Sequence, residues 1–479
     1  MARKKTPLPL LENVEITGAG AEGKAVARVN ERVLFVPFAA PGDVVDVQVT
    51  RKKSSFYEGV ITNMKKPSDL RIIPECEHFG LCGGCKWQHL DYENQKHFKQ
   101  QQVKDSLDRI AKVPYPGINE IIGADRPFYY RNKLEFTFSD RRWLTEEDIK
   151  KQEEGPIDTH ALGFHLPGKF DKILDIHRCY LQKDPSNAIR LSVKQFAVEQ
   201  GLSFYNAREQ QGLLRNLIIR TSSTGELMVV IIFGHEDEKN INLLMDFVGK
   251  KFPEITSLMY VVNTKQNDSI YDLEVKLFKG KDYLLEIMQA ACEGQTPLKY
   301  KVGPKTFYQT NPEQAYKLYK TAHDFADFQG NEKVYDLYTG TGAIALFIAR
   351  SVGQVIGIEA VDEAVEHAKK NAQENGISNV EFHCGDMAKL LDADFIAKHG
   401  RPDVIVTDPA RAGMHQKVVK QILEAAPKKV VYVSCNPATQ ARDLALLDEK
   451  YEIKKVQPVD MFPQTHHVEN VVLLHLKQL

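Results

Sequence analysis

The stretch "VYDLYTGTGAIA", residues 334–345, decides the fold of the C-terminal half of this chain. It begins with β-forming residues, turns at Gly340 and Gly342, and continues into residues that favour a helix. Small residues at such a turn let the backbone approach a ligand closely at the N-terminus of the helix. The stretch therefore predicts an α/β unit that holds a nucleotide-like cofactor.

Strand-like runs alternate with helical stretches from about residue 306 to the end of the chain. The runs are "VIGIEA", "VEFHCGD", "PDVIVTDPA", "KKVVYVSC", "YEIKKVQPVD" and "VENVVLLHL". This alternation predicts a doubly wound α/β sheet, and such sheets bind ligands outside the carboxyl ends of their strands. Five reactive side chains end strands and are expected together at that edge: Asp336, Glu359, Asp386, Asp408 and Cys435.

Two cofactors remain open on these residues. The pattern Gly340-x-Gly342-x-x-Ala345 fits the dinucleotide fingerprint, so NAD is one alternative. Two features favour S-adenosylmethionine: Asp336 can pair with a cationic methionine amine, and Asp386 can accept from an adenine amine. Glu359 suits either cofactor, because an acidic residue there can hold both ribose hydroxyls. A glycine turn without a ligand is the third interpretation.

Cys435 ends the apolar run "VVYV", where Asn436-Pro437 stops the strand. A cysteine there could simply fill the core. Beside a methyl donor it could instead add as a thiolate to carbon 6 of a pyrimidine, which makes carbon 5 nucleophilic. A base must then remove the carbon-5 proton so that the thiolate can leave. Glu469, at the start of the last apolar strand, is a candidate base; a surface-facing Glu469 and the use of His466 or His467 are the alternatives.

Composition limits the class of protein. The chain has 479 residues and a net charge of -1, which predicts two to four domains and confines nucleic-acid binding to local basic patches. The start, "MARKKTPLPLLENVE", has no apolar signal region, and no window is apolar enough to span a membrane. We therefore expect a cytoplasmic protein whose seven cysteines do not form disulfides and whose clustered cysteines serve metal binding or catalysis.

The first part of the chain, residues 8 to about 66, consists of short β-branched runs separated by Gly and Pro, which predicts a small barrel. It carries basic residues near two aromatic residues, a combination that suits single-stranded RNA but also fits a solvated charged surface. These residues are Arg51, Lys52, Lys53, Lys65, Lys66, Phe56 and Tyr57.

The middle of the chain begins with "NQKHFKQQQVKDSLDRIAKV", a predicted helix. Its apolar face is expected to contain Phe98, Leu107, Ile110 and Ala111. Residues 128 to about 300 mix paired strand runs with helices, which indicates an antiparallel-rich α+β domain. The charged segment 140–160 is expected to be a surface insertion.

Four cysteines form a candidate metal site. "CEHFGLCGGCKWQ" has the spacing Cys76-x5-Cys82-x2-Cys85, and Cys179 follows far along the chain. Zinc and a [4Fe–4S] cluster both accept four thiolates. A mixed zinc site with neighbouring histidines is also conceivable; they are His78, His89 and His177. Cys292 and Cys384 are expected to fill core positions.

Several motifs together resemble the RNA uracil-C5 methyltransferase family: "FYQTNPEQAYKLY", "DLYTGTG", "DPARAG", "SCNPATQARD" and "FPQTHHVENVVLL". The resemblance implies that S-adenosylmethionine is the methyl donor, Cys435 the nucleophile and Glu469 the base. It further implies that Asp408 lies between cofactor and uracil and that Arg131, in "YYRNKLEF", holds RNA. The positions that it implies for cofactor binding are Gln309, Asp336, Tyr338, Gly340, Gly342, Glu359, Asp386 and Asp408.

The same resemblance extends to the rest of the chain. The barrel is similar to a TRAM domain, an RNA-binding module of the OB type. The cysteine spacing matches the subgroup that binds a [4Fe–4S] cluster, through Cys76, Cys82, Cys85 and Cys179. Barrel and cluster together imply 23S ribosomal RNA as substrate, with tRNA as the alternative, and a uridine flipped out of its stack.

The expected organisation has three parts. Residues 1–67 form the barrel; 68–95 and 128–304 form the central domain with the cluster; 96–127 and 305–479 form the methyltransferase domain. We expect a monomer that binds RNA, not DNA or membranes. Two other classes stay open: an NAD-dependent oxidoreductase, and an RNA-binding assembly factor with a degenerate catalytic domain. The intact Cys435, Glu469 and Gln309 argue against the assembly factor.

Overall fold

The computed structural model describes residues 7–145, 148–150, 155 and 157–478. Part of the expected insertion at 140–160, and the first six residues of the chain, lie outside the described residues. None of the described helices has the length and apolar character that crossing a lipid bilayer requires.

The N-terminal sheet has six short strands in the order β1-β5-β6-β4-β3-β2. Alternate side chains, such as Val45, Val47 and Val49 on β5, point into an enclosed core. Tyr57 belongs to that core, so its ring cannot offer a face for a stacked base. The strands are β1 (Leu10–Glu15), β2 (Gly18–Ala19), β3 (Lys24–Val29), β4 (Arg32–Pro37), β5 (Val44–Lys52) and β6 (Phe56–Lys66).

The central sheet has seven strands in the order β13-β12-β11-β10-β7-β8-β9, and β11 and β12 are its parallel pair. The strands β10 and β11 are buried on both faces; β11 is entirely apolar, whereas β10 also buries Arg215, Asn216 and Arg220. The strands are β7 (Lys133–Ser139), β8 (Ala161–Leu166), β9 (Lys169–Leu174), β10 (Leu214–Thr221), β11 (Leu227–Phe233), β12 (Ser257–Val262) and β13 (Lys276–Gly280). A separate hairpin, β14 (Leu284–Met288) and β15 (Leu298–Val302), leads into the C-terminal half.

The C-terminal sheet has seven strands in the order β18-β17-β16-β19-β20-β22-β21. The first five of this order are parallel, and β22 runs antiparallel to both β20 and β21. The order reverses between β16 and β19, and such a switch point opens a ligand crevice at the carboxyl edge. The strands are β16 (Lys333–Leu337), β17 (Gln354–Glu359), β18 (Val380–Cys384), β19 (Val404–Thr407), β20 (Lys429–Ser434), β21 (Tyr451–Val459) and β22 (Glu469–Leu476).

Helices cover both faces of the C-terminal sheet, because alternate residues of its strands feed two separate apolar cores. Val431 and Val433 face one core, whereas Val430 and Tyr432 face the other. Two helices pack on the central sheet instead: α2 (Ser186–Glu199) and α3 (Glu238–Lys251). The others are α1 (Tyr92–Ser106), α4 (Pro312–Ala326), α5 (Ala343–Ala349), α6 (Asp362–Glu374), α7 (Met387–Leu390), α8 (Ala393–His399), α9 (Gln416–Ala425) and α10 (Pro437–Leu447).

Helix α1 and the π-helical turn that follows it, Leu107–Ala111, bury only half of the predicted apolar face: Leu107 and Ala111 are buried as expected, but Phe98 and Ile110 are not. Ile110 is 45% exposed, and Phe98 is only partly buried, against Trp87. The buried face instead repeats every four residues, at Gln95, Lys99, Val103, Leu107 and Ala111. The prediction of Ile110 as a core residue was wrong because buried polar partners, described below, select a face that contains Gln95 and Lys99.

Candidate active site and cysteine cavity

The glycine turn after β16 forms the centre of the carboxyl edge. Gly340 and Gly342 have positive φ angles of 56° and 80°, a region that glycine enters without strain. A side chain at Gly342 would press on Ala368 and Phe382, whereas the space beside Gly340 is open to 4 Å. The turn is therefore packed against the protein on one side and free to receive a ligand on the other.

Glu359, at the end of β17, lies directly beside this turn. Its Oε2 accepts a hydrogen bond from Gly340 N at 3.0 Å, and its Oε1 accepts from Ala360 N and Val361 N. The carboxylate is half-buried and fixed by backbone donors, so it can present acceptors to hydroxyl groups of a bound ligand.

Asp336 is a buried carboxyl group under the turn. Its Oδ2 accepts from Thr339 Oγ1 at 2.5 Å, and its Oδ1 is buried without a hydrogen-bond partner among the described residues. Burial raises the pKa of Asp336 to about 7 despite the Thr339 bond. A cationic ligand would supply the missing hydrogen bond to this carboxyl group and would favour its ionised form.

Tyr338 and Asp386 stand at the rim of the crevice. Tyr338 has a left-handed backbone with φ of 65°, an unusual conformation for a tyrosine, and its side chain is half-buried. Asp386 is exposed and caps α7 by accepting from Ala388 N at 2.9 Å. The cap uses only Oδ1 of Asp386, so Oδ2 is available to a ligand.

Asp408 follows β19 across the switch point from Asp336. Burial, with a further contribution from Asp336, raises the pKa of Asp408 to about 7. Tyr319 on α4 lies close to this pair, since burial and then Asp408 raise its pKa well above the usual value. Tyr319 also lies near the side chain of Gln309. The backbone carbonyl of Gln309 accepts a hydrogen bond from Asn132 Nδ2 at 3.0 Å. Sequence reasoning missed Tyr319, although it lies within the quoted stretch around Gln309.

Cys435 follows β20 at the N-terminus of α10. Asn436 caps that helix by accepting from Ala438 N at 3.1 Å, and its Nδ2 donates to Arg411 O at 3.0 Å. Burial, followed by Glu469 and Asp408, raises the pKa of the half-buried Cys435 thiol to about 11, whereas Arg411 lowers it. The thiol can ionise readily only when the neighbouring carboxyl groups are neutral or their charge is compensated.

Glu469 is brought to Cys435 by strand register. Ser434 pairs with Asn470 in the antiparallel ladder of β20 and β22, so the next opposed positions are Cys435 and Glu469. Glu469 is 7% exposed, and burial, then Asp408, raises its pKa well above 4.5. The expectation of a costly buried carboxylate therefore holds, and the surface-facing alternative does not.

The two histidines before Glu469 are poor competitors for the role of base. Burial lowers the pKa of His466 to about 4 and that of His467 to about 3. Their neutral rings are therefore weaker bases than the Glu469 carboxylate.

Arg411 Nη2 lies 3.2 Å from the His467 ring nitrogens, a contact that sequence reasoning also missed. Arg411 stands in the "DPARAG" motif, so its position was visible but its partner was not.

The four cysteines of the candidate metal site line one cavity of about 100 Å³ between the central sheet and the segment that precedes α1. Burial, with smaller contributions from the neighbouring cysteines, raises the pKa of Cys82 to about 11 and that of Cys85 to about 12. Cys179 is held by Asn187, whose Oδ1 accepts from Cys179 N at 2.8 Å. All four thiols are free, and a cation would remove the cost of ionising them together, so the donor set fits a metal centre.

The nearby histidines do not complete this donor set. His78 Nε2 accepts from His177 N at 2.8 Å, and His89 Nε2 lies 3.2 Å from Ala39 O. The His177 ring is exposed and contacts Glu77.

Arg131 also lines the cysteine cavity, and its guanidinium lies 5.9 Å from the centre of the Phe462 ring. Arg131 thus stands between the cavity and the loop that leads to Glu469.

Cys292 and Cys384 do not fill the core, contrary to expectation, because both are exposed. Cys384 is the last residue of the edge strand β18, where the sheet ends. Cys292 lies in the loop of the hairpin β14–β15, with its Sγ near His323 and Ser351.

Comparison with known proteins identifies two family models in the chain. The model described as tRNA (uracil-5-)-methyltransferase matches residues 273–477, and the TRAM domain model matches residues 12–62. A protein of Bacteroides thetaiotaomicron, named an uncharacterized RNA methyltransferase, is 56% identical over 95% of this chain and 100% of its own length. A protein of Porphyromonas gingivalis with the same name is 52% identical over 96% of this chain and 99% of its own.

A solved structure matches nearly the whole chain. It is the tRNA (uracil-54, C5)-methyltransferase of Pyrococcus abyssi in complex with S-adenosyl-L-homocysteine. It is 27% identical, covers 97% of this chain and 100% of its own, and superposes with a TM-score of 0.73. The prediction of a doubly wound C-terminal domain with a strand-rich N-terminal domain and an α+β middle is confirmed.

Proposed function

This chain belongs to the S-adenosylmethionine-dependent RNA (uracil-5-)-methyltransferase family, and from that premise we propose its target, its mechanism and its metal centre. The target is a uridine of 23S ribosomal RNA, and the catalytic pair is Cys435 with Glu469. One observation carries the assignment of the pair: the β20–β22 register, which ends with Ser434 opposite Asn470, leads directly to Cys435 and Glu469, and Glu469 is near enough to raise the pKa of the Cys435 thiol.

The reaction begins with bond formation at carbon 6 of the uracil. The Cys435 thiolate adds there, and the negative charge delocalises onto carbon 5 and the adjacent carbonyl. Carbon 5 attacks the methyl carbon of S-adenosylmethionine, and S-adenosylhomocysteine leaves. Glu469 then removes the proton from carbon 5, the carbon 6–sulfur bond breaks, and Cys435 leaves as a thiolate. Arg411 opposes the charge of the carboxylates around the thiol and so favours its ionisation.

The cofactor side of the site follows from its charges. Asp336, which is buried and unsatisfied at Oδ1, pairs with the cationic amine of the methionine part, and Glu359 holds the ribose hydroxyls. Gly340 and Gly342 admit the ligand close to the backbone. The remaining positions contribute side chains around it: Gln309, Tyr338, Asp386 and Asp408. Asp408 lies on the side of Glu469 and so also faces the uracil. Arg131 is proposed to hold RNA.

We assign a [4Fe–4S] cluster to the cavity lined by Cys76, Cys82, Cys85 and Cys179. Such a group is held by four thiolates, and its positive iron ions compensate their charge. Methyl transfer moves no electrons, so the cluster has no redox step in this reaction. The proposed domain limits are those given above: the barrel in residues 1–67, the central domain in 68–95 and 128–304, and the methyltransferase domain in 96–127 and 305–479.

Transfer RNA is the second candidate substrate. The structural match to an enzyme named for tRNA extends over 97% of this chain, so barrel and cysteine cavity together do not exclude tRNA. We still favour 23S ribosomal RNA as the substrate, because the chain combines the barrel with the four-cysteine site. In either RNA the uridine must leave its stack, because carbon 6 is inaccessible within it.

The test uses 23S fragments and tRNA transcribed separately, each with uridine or with 5-fluorouridine. A fluorine cannot be removed as a proton, so the fluorinated substrate should trap Cys435 as a covalent RNA–protein adduct, visible by denaturing electrophoresis. We expect the adduct, and methyl incorporation into the unfluorinated partner, with a 23S fragment. Equal absence of adduct for the wild type and Cys435→Ala contradicts the mechanism, and incorporation into tRNA alone contradicts the target.

A further inference from the structure

The catalytic base stands at the end of a turn that other parts of the molecule hold in place. This turn, residues 460–467, connects β21 to β22 and is followed after Val468 by Glu469. Gln464 at its centre is buried and has a left-handed φ of 68°, a strained conformation for this residue. Such a conformation persists only where contacts with the rest of the protein hold it. The contacts of this turn therefore bear on where Glu469 points.

The first support comes from the segment that carries Cys85. The two residues after this cysteine, Lys86 and Trp87, donate their backbone N–H groups to Gln464 O at 2.8 Å and 3.1 Å. One carbonyl thus accepts from two consecutive donors of the cysteine segment. Any shift of Cys85 moves these donors with it.

The second support comes from the segment that carries Cys179. Tyr180 O and Leu181 O accept from Tyr129 N and Arg131 N, both at 2.8 Å. Between these two residues, Tyr130 donates its hydroxyl to Pro463 O at 3.0 Å, and Arg131 covers the Phe462 ring. The Cys85 segment therefore reaches the turn directly at Gln464 O, and the Cys179 segment reaches the adjacent Pro463 O through residues 129–131.

The third support is a pair of glutamines. Gln464 N donates to Gln95 Oε1 at 2.9 Å, and Gln95 Nε2 donates to Gln464 Oε1 at 3.0 Å. Gln95 Nε2 also reaches Trp87 O at 3.1 Å, which ties α1, the cysteine segment and the turn together. A buried amide pair with this many partners tolerates little displacement.

We infer that the cysteine centre acts on catalysis mechanically: it fixes the segments of Cys85 and Cys179, which in turn fix the turn 460–467, with Tyr130 and Gln95 as positioning residues for Glu469. This inference rests on the proposed function, in which Glu469 is the base. It assigns to the metal centre a role in proton removal from carbon 5, without contact between metal and substrate.

The test compares two buried tyrosines that differ in what they hold. Tyr130→Phe removes the hydroxyl that donates to Pro463 O at 3.0 Å. Tyr451→Phe removes a hydroxyl that donates to Pro427 O, also at 3.0 Å, at the opposite end of β21. Both enzymes are given RNA labelled with tritium at carbon 5 of uridine, and tritium release and covalent adduct are measured in one turnover.

For Tyr130→Phe we expect release about tenfold slower than wild type, with adduct persisting, because small displacements of a catalytic group cost one to two orders of magnitude. The affinity for S-adenosylmethionine should not change, and Tyr451→Phe should match the wild type. Gln464→Gly, which suits the left-handed backbone and removes the side-chain oxygen that accepts from Gln95 Nε2, should reproduce the effect. Release as fast in Tyr130→Phe as in Tyr451→Phe overturns the inference.

Glu469→Gln, run beside them, separates this inference from the proposed function. If Glu469→Gln accumulates no adduct on natural RNA, the assignment of the base fails and the inference falls with it. If Glu469→Gln accumulates adduct and Tyr130→Phe does not, only the inference fails.

A second readout needs no catalysis. Amide hydrogen exchange is followed in iron-loaded protein and in protein whose iron has been removed by chelation. We expect faster exchange in residues 460–469 after iron removal, and unchanged exchange in the distant strand β16, Lys333–Leu337. Equal protection of 460–469 in the two samples contradicts a link between the centre and the turn.

Discussion

Two places in the molecule hold cysteine thiols with raised pKa values, a single thiol at one and four at the other, and their neighbours give them opposite properties. Cys435 is surrounded by carboxyl groups, Arg411 and the N-terminus of α10. The cavity of Cys76, Cys82, Cys85 and Cys179 is lined by thiols, apolar residues, His78 and arginines. A single thiol beside a base can exchange protons with a substrate, whereas four thiols together call for a permanent cation. The pKa direction of a cysteine therefore does not reveal its role; the identity of its neighbours does.

The sharpest way to separate the two places is Cys435→Ala. We expect methyl transfer to fall by about 10⁴-fold or more, because the covalent route is lost entirely. Iron content and affinity for S-adenosylmethionine should remain at wild-type values. Methyl incorporation and iron content are measured on the same preparation, and a joint loss of both would show that the two places are not independent.

The converse change is Cys179→Ser. This buried residue lies in the cavity and makes no part of the carboxyl edge, so we expect loss of iron and a free energy of unfolding lower by roughly 3 kcal/mol, a size typical of lost metal sites. Thermal unfolding followed by circular dichroism gives the stability, and isothermal titration gives the cofactor affinity, which should stay within about twofold of wild type. Retention of iron would remove Cys179 from the donor set.

A smaller effect concerns pH, and it distinguishes the carboxyl edge from the cysteine cavity. Asp336 and Asp408 have pKa values raised to about 7, so both are neutral below that pH and charged above it. A cationic cofactor binds the charged form, so affinity for S-adenosylmethionine should rise about tenfold between pH 6 and pH 8. Titration calorimetry across that range measures it. Asp336→Asn should bind more weakly and lose most of the pH dependence; an affinity that falls with rising pH contradicts the assignment.

The smallest effect is expected at a cysteine outside both places. Cys292 is exposed in a hairpin loop, so Cys292→Ser should change stability by less than about 0.5 kcal/mol and leave methyl transfer and iron content unchanged. It serves as the matched control for both other cysteine variants. A substantial loss of iron in Cys292→Ser would indicate that Cys292 is a metal ligand, which contradicts its position outside the cysteine cavity.

Much of the carboxyl edge could be predicted from sequence because strand ends are local features. Asp336, Glu359, Asp386, Asp408 and Cys435 each follow an apolar run, and parallel strands bring such ends to one side. The long apolar strands and the glycine turn carry enough local information for that conclusion.

The contacts that complete the site could not be predicted, because they join distant segments through tertiary packing. The opposition of Cys435 and Glu469 depends on the antiparallel register of β22, which no local pattern specifies. Ile110 was misplaced for the same reason: the apolar spacing of α1 suggests one face, but the buried bonds of Gln95 and Lys99 select another. Arg411 and Tyr319 lie in visible motifs, and only the fold shows what they touch.

The buried ion pair of Lys99 and Asp460 has a consequence for how the chain is made. Lys99 Nζ lies 2.6 Å from Asp460 Oδ1, both side chains are fully buried, and 361 residues separate them. A buried ammonium without its partner is strongly unfavourable, so α1 cannot settle in its final position until Asp460 has been synthesised. Asp460 follows every described strand except β22 along the chain, so the docking of α1 waits until most of the sheets have been synthesised. The catalytic geometry of this enzyme can therefore form only after the chain has been synthesised beyond Asp460.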